Sequence, residues 1–154
     1  MKGNLAEPAK LELEVLLTTA SIDTRQEQRD THLRSPDFFD AEKWPGMRFV
    51  GKRIKGDIKG EFTLYGDMTI RDVTREIELA VTNEGSVRDP WGMARVGFSA
   101  KGKLDRQEFG LSWNQAIEAG GFVVGDEIRI SVDVEFTDIV AETAAAVPQR
   151  QVDT

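Results

Sequence analysis

The chain has 154 residues and 17.2 kDa, is 40% hydrophobic, and carries 20 basic against 27 acidic residues, a formal charge of −7. That length fits one domain able to bury roughly 68 to 70% of its unfolded surface, and the acidic balance lacks the footprint of a nucleic-acid binder. No cysteine is present, which excludes disulfides, thiolate metal sites and cysteine nucleophiles.

The opening residues Met1-Lys2-Gly3-Asn4-Leu5-Ala6-Glu7-Pro8 lack the apolar stretch of a signal peptide, and no window approaches the roughly 18 apolar residues of a spanning helix. As written, the chain is expected in the cytoplasm; a lost upstream signal peptide is the alternative. Leu11, Leu13 and Val15 alternate with Glu12 and Glu14, which predicts a strand over residues 10 to 17. Thr24, with Glu27 three residues on, forms a capping-box pattern for a charged helix ending near Arg34. Pro36 starts a further short turn, and Pro45 holds Trp44 extended. Residues 25 to 43, including the paired Phe38 and Phe39, thus read as a lid among strands.

From residue 47 onward the period becomes two, predicting strands at 47–55, 60–70, 75–83, 94–105 and 127–137. Phe62, Leu64, Met68 and Ile70 share one face; Val96, Phe98, Ala100, Gly102 and Leu104 share another. Small residues among large ones suit a curved wall. In the last strand Ile128, Ile130, Val132, Val134 and Phe136 alternate with Arg129, Ser131, Asp133 and Glu135. Turn chemistry at Lys55-Gly56-Asp57, Arg71-Asp72, Asp89-Pro90-Trp91-Gly92 and Gly125-Asp126 implies antiparallel neighbours. A helical turn is expected around Asn114 to Glu118, reversed by Gly120-Gly121. One domain over residues 1–140 and a loose tail over 141–154 complete the reading.

Several segments together resemble the YceI-like lipid- or polyisoprenoid-binding family. They are Ala20-Ser21-Ile22-Asp23-Thr24, Arg29-Asp30, His32-Leu33, Phe38-Phe39-Asp40, Gly66-Asp67-Met68-Thr69-Ile70-Arg71, Asp89-Pro90-Trp91-Gly92, Phe109-Gly110-Leu111 with Trp113-Asn114, and Gly120-Gly121 with Val124-Gly125-Asp126-Glu127. The resemblance covers about residues 10 to 137. It implies a mainly β fold: a lipocalin-like antiparallel β-barrel with a short helical insertion, enclosing an apolar cavity for a polyisoprenoid or the tail of an isoprenoid quinone. A barrel of about eight strands is just wide enough for one small ligand. Family members begin with further strands, so the barrel is expected to be incomplete at its N-terminus. Asp72 stands where the family commonly has Gly, and Glu76 where it often has Pro.

The expected function is non-enzymatic binding, storage or transport of a long apolar lipid, without cofactor or metal. The rival reading is an interaction module that completes its barrel by forming a homodimer. The ligand-binding candidates are Leu33, Phe38, Phe39, Phe49, Phe62, Leu64, Met68, Phe98 and Trp113, each weighed against plain core packing. His32, the lone histidine, lacks further ligands for a transition metal and fits a hydrogen-bonding role; Arg29 and Asp30 fit a lock of helix to sheet. Gly110-Leu111-Ser112-Trp113-Asn114 lacks the last glycine of a nucleophile elbow, and no glycine-rich phosphate loop joins a strand to a long helix.

Overall fold

Six strands form one antiparallel sheet, each paired with its neighbours in sequence: β1 (Glu14–Thr18), β2 (Gly46–Gly56), β3 (Glu61–Ile70), β4 (Val73–Arg88), β5 (Ala94–Asp105) and β6 (Glu127–Thr137). One helix, α1 (Glu27–Arg34), lies between β1 and β2. The computed structural model describes residues 1–3, 5–116, 120–121 and 123–137. The expected tail and the domain limit at residue 140 lie outside the described residues, as does the end of the turn expected at Asn114 to Glu118.

Side chains alternate across a strand, so the register decides which residues share a face. Across β3 and β4, Phe62 meets Val81, Leu64 meets Leu79 and Gly66 meets Ile77. Across β2 and β3, Phe49 meets Met68 and Ile54 meets Leu64; across β4 and β5, Val81 meets Ala100 and Leu79 meets Gly102. One face therefore collects the apolar set. Its centre is a buried cluster of Phe49, Ile70, Ile77, Leu79, Val81, Phe98, Phe109 and Leu111. Each such side chain contributes about 1.5–3 kcal/mol when fully buried.

Two glycines let that face curl. A Cβ at Gly66 would stand 2.3 Å from Cζ of Phe49, and one at Gly102 would stand 2.6 Å from Cδ2 of Leu79 and 2.8 Å from the Glu78 carbonyl oxygen. The ring and the isobutyl group occupy those notches, as the mixture of small and large residues led one to expect. Bulges at Gly51/Arg53 in β2 and Asn83/Gly85 in β4 add local bend. The result is a curled half-barrel whose outer strands, β1 and β6, are not paired with one another.

Several expectations need correction. β1 starts at Glu14 rather than residue 10, because Pro8–Lys10 form a 3₁₀ turn and Glu12 pairs only with Lys2 in an isolated bridge. β4 runs on to Arg88 although its apolar alternation stops at Val81: the ladder to β5 continues through Ser86 and Val96 after the bulge. In the β3–β4 hairpin the positive φ of 56° falls on Arg71, so Asp72, where the family commonly has Gly, is not in the left-handed region. Thr24 does not cap the helix. Gln26 occupies the cap position without a side-chain bond, because the Thr24 hydroxyl donates to Asp30 instead.

Candidate functional site

The ligand-binding candidates fall on the concave face, on the segment between β1 and β2, and at Trp113. Phe49, Phe62, Leu64, Met68 and Phe98 meet on the concave face, either in the buried cluster or packed against it, and Phe39 packs there too. Phe98 stands edge-on to Phe62 at 6.1 Å and to Phe136 at 6.0 Å, geometry that suits the ring quadrupoles. Toward both outer strands the same face opens. Val15 and Leu17 of β1 and Ile128, Val132 and Val134 of β6 are among the exposed large apolar residues although their register continues the interior.

Phe38 and Trp113 belong to a separate cluster. The His32 ring stands edge-on to Phe38 at 5.1 Å and to Trp113 at 4.5 Å, while the Phe38 and Trp113 centroids are 5.4 Å apart. Phe38 is buried and Trp113 half-buried. The paired phenylalanines thus divide, one to the histidine–tryptophan cluster and one to the concave core. Leu33 is half-buried on α1, outside the concave cluster. His32 Nε2 lies 2.8 Å from Asp37 Oδ2, in keeping with the hydrogen-bonding role expected of it. Among the described residues no three metal-ligating side chains gather.

Polar side chains gripping backbone hold this cap. Asp30 accepts the hydroxyl and the N–H of Thr24. The hydroxyl bond depresses its carboxyl below the usual range, against burial, with help from the Thr24 N–H, Arg34 and Arg29. Arg29 donates to Thr24 Oγ1 at 2.8 Å and to its carbonyl at 3.1 Å. The Arg29-Asp30 pair therefore fastens the helix to its own leading segment rather than to the sheet, which corrects the expected lock. The chain makes a sharp turn there: Arg25 has φ 60°, and Asp23 accepts its N–H. Arg34 reaches the carbonyls of Ala20 and Ile22, and Thr19 donates to the Trp44 carbonyl at 2.7 Å. Arg71 donates to the Phe38 carbonyl at 3.3 Å, while its buried Nε has no partner among the described residues.

Sequence reading missed Arg106. It is 2% exposed and is the first residue of the 3₁₀ turn Arg106–Phe109. Its guanidinium donates to the carbonyls of Leu111, Trp113, Val124 and Gly125, and to Asp126 at 3.2 Å. Asn114 completes the clasp, donating to the Val124 carbonyl and accepting the Val124 N–H. A lone arginine between Asp105 and Gln107 gives no periodic signal for such a role.

Two surface clefts among the described residues lie elsewhere. One of about 490 Å³ is bordered by Glu76, Glu78, Asp105, Glu108, Asp126 and Glu127 around Ile77 and Leu104; another, of about 430 Å³, runs between Lys101–Lys103 and Glu127–Ser131. Neither is lined by the ligand-binding candidates. Beside the first, Arg53 and Lys52 bond Glu76 and hold its carboxyl down at about 2.

With this architecture in view, residues 1–136 match the YceI-like domain. The chain belongs to the YceI-like family. Within that family it is 34% identical over 138 residues to a UPF0312 protein of Staphylococcus epidermidis, covering 89% of this chain and 78% of the relative. A UPF0312 protein of Staphylococcus aureus is 30% identical over the same shares. The solved YceI protein of Campylobacter jejuni superimposes with TM-score 0.78 at 28% identity, over 90% of this chain and 78% of that one. Burkholderia cenocepacia BcnA has TM-score 0.69 at 18% identity over 88% and 80%, a likeness of fold alone. Among the described residues no helix is long and apolar enough to cross a membrane.

Proposed function

We propose that this YceI-like chain binds a long apolar molecule, a polyisoprenoid or the tail of an isoprenoid quinone, as a non-enzymatic carrier or store. The observation that carries the reading is the concave face itself. It is apolar across all six strands, yet Val15, Leu17, Ile128, Val132 and Val134 remain exposed on it, so apolar surface is left beyond what the core fills. A flexible hydrocarbon laid along it gains about 25 cal/mol per Å² removed from water. Phe49, Phe62, Leu64, Met68 and Phe98 would form the floor; Leu33, Phe38, Phe39 and Trp113 would form the closed end. Arg71, whose Nε has no partner among the described residues while its guanidinium reaches the Phe38 carbonyl, would offer a donor for a polar head group.

The test is organic extraction of natively expressed protein followed by mass spectrometry, with thermal melts in added quinone. Ligand at about 100 times its Kd stabilises by about 2.7 kcal/mol, several degrees for a chain of this size. Protein that yields no isoprenoid and whose Tm does not move sinks the reading.

A second reading is favoured by a specific observation. The two outer strands each leave one side unpaired among the described residues, and such edges invite another strand. An interaction module completed by a second copy follows from it, and sedimentation of the whole chain checks it: a monomer at all concentrations removes its basis.

A further inference from the structure

We infer that β6 pairs with β6 of a second copy of this chain, antiparallel, about a two-fold axis at Val132. This deepens the dimer reading by naming the strand and its register. Of the two outer strands, β1 has 5 residues and β6 has 11. Among the described residues β6 pairs only with β5, leaving its far side open along its whole length. Ile128, Val132 and Val134, on its concave face, are 40%, 38% and 39% exposed, so the open side is apolar as well as unpaired.

Charge selects the register. A two-fold axis normal to the sheet places residue i opposite a residue of the second copy on the same face, so the polar set Glu127, Arg129, Ser131, Asp133 and Glu135 meets itself. Like charges directly opposite are destabilising, and opposite charges or a hydroxyl with a carboxylate are favourable. An axis at Arg129 or Glu135 places each of those residues against its own copy. Axes at Ile130 and Ser131 set Glu127 against Asp133 and against Glu135. An axis at Asp133 repeats that residue against itself, and one at Val134 sets Asp133 against Glu135.

Axes at Ile128 and Phe136 avoid such a clash but overlap only three residues; of those that overlap five or more, the axis at Val132 alone is free of it. There Arg129 faces Glu135 of the second copy, Ser131 faces Asp133, and Glu127 faces Thr137. The same axis overlaps all 11 residues and sets Ile128 against Phe136, Ile130 against Val134 and Val132 against Val132. Arg129, 88% exposed and 3.3 Å from Glu127, is free to turn to a better partner. Charges that repel other pairings therefore admit this one, and the concave apolar face of one copy runs on into that of the next.

The natural absence of cysteine makes the test direct. Directly opposed Cβ atoms lie about 4.5–5.5 Å apart, close to the separation a disulfide needs, whereas diagonal neighbours lie beyond it. In the full chain, Val132→Cys should cross-link to itself under mild oxidation, giving a species of twice 17.2 kDa. Ser131→Cys should cross-link to Asp133→Cys when the two proteins are mixed, but not to itself. Arg129→Glu should weaken the dimer about tenfold or more, since both symmetry-related pairs become repulsive. Adding Glu135→Arg should restore it, with Arg95 still held by Asp89. A chain that is monomeric at all concentrations overturns this inference and the dimer reading together. A dimer in which Val132→Cys cross-links no faster than Val87→Cys, an exposed control on β4, overturns the register alone. Species that grow beyond two copies would mean that β1 meets β6, and would also overturn it.

Discussion

From β2 to β5 the protein is held by apolar side chains that the strand period delivers to one face, with Gly66 and Gly102 cut back so that Phe49 and Leu79 fit. In the cap, from Thr19 to Trp44 and again around Arg106, the holding groups are polar and their partners are mostly backbone carbonyls. The first kind of cohesion is spread over many contacts and tolerates local change. The second is concentrated in a few side chains, each satisfying groups that would otherwise be buried unpaired. The sheet should therefore lose stability in proportion to volume removed, and the cap should fail at single residues.

The strongest challenge to that contrast is Phe98→Ala, which should lower unfolding stability by about 3–5 kcal/mol. Urea melts followed by circular dichroism and by tryptophan fluorescence should shift together. Arg106→Met should come next, at roughly 2–4 kcal/mol, because four carbonyls lose their donor. Here fluorescence from Trp113 should change at lower urea than circular dichroism; coincident curves would show cap and sheet to be one cooperative unit.

Gly66→Ala should cost about 1–3 kcal/mol through overpacking against Phe49 and the Val50 carbonyl, read as a lower Tm, and Phe49→Leu in the same chain should recover part of it. Asp30→Asn should leave the sheet intact while speeding amide exchange at Thr24. Because the folded pKa of Asp30 lies below its unfolded value, its contribution is whole above about pH 3.9 and disappears as pH falls through the folded value. The smallest effect belongs to Glu76→Gln at the solvent-exposed Arg53 and Lys52 pairs. Wild type should exceed the variant at neutral pH, and the gap should close as pH falls from about 4.3 toward about 2.

The same contrast explains what could be read in advance. β5 and β6 were predicted to the residue, and β2 and β3 to within one, because period-two patterns and turn residues report directly on burial. The helix was visible from its charged run, but its start was not: choosing between Thr24 as cap and Thr24 as donor to Asp30 depends on the turn at Arg25, which no local pattern specifies. The division of Phe38 from Phe39 was likewise hidden, since it depends on His32 and on Trp113, 75 positions from Phe38 along the chain. Arg106 was hidden because a buried arginine and a surface one look alike in sequence.

The neighbour-to-neighbour strand order has a kinetic meaning. Each hairpin from β2 to β5 can close within the stretch of chain that has just formed, without waiting for a distant partner, and loop-closure entropy stays low at every step. Three events depart from this economy of search: β1 must reach β2 across residues 19–45, β6 must return to β5 across residues 106–126, and the Phe38 carbonyl must meet Arg71, 33 positions away. The meander should therefore form early, with the clasp around Arg106 and the seating of the helix as the late steps of folding. The face that the cap will cover would then be the last part of the molecule to leave water.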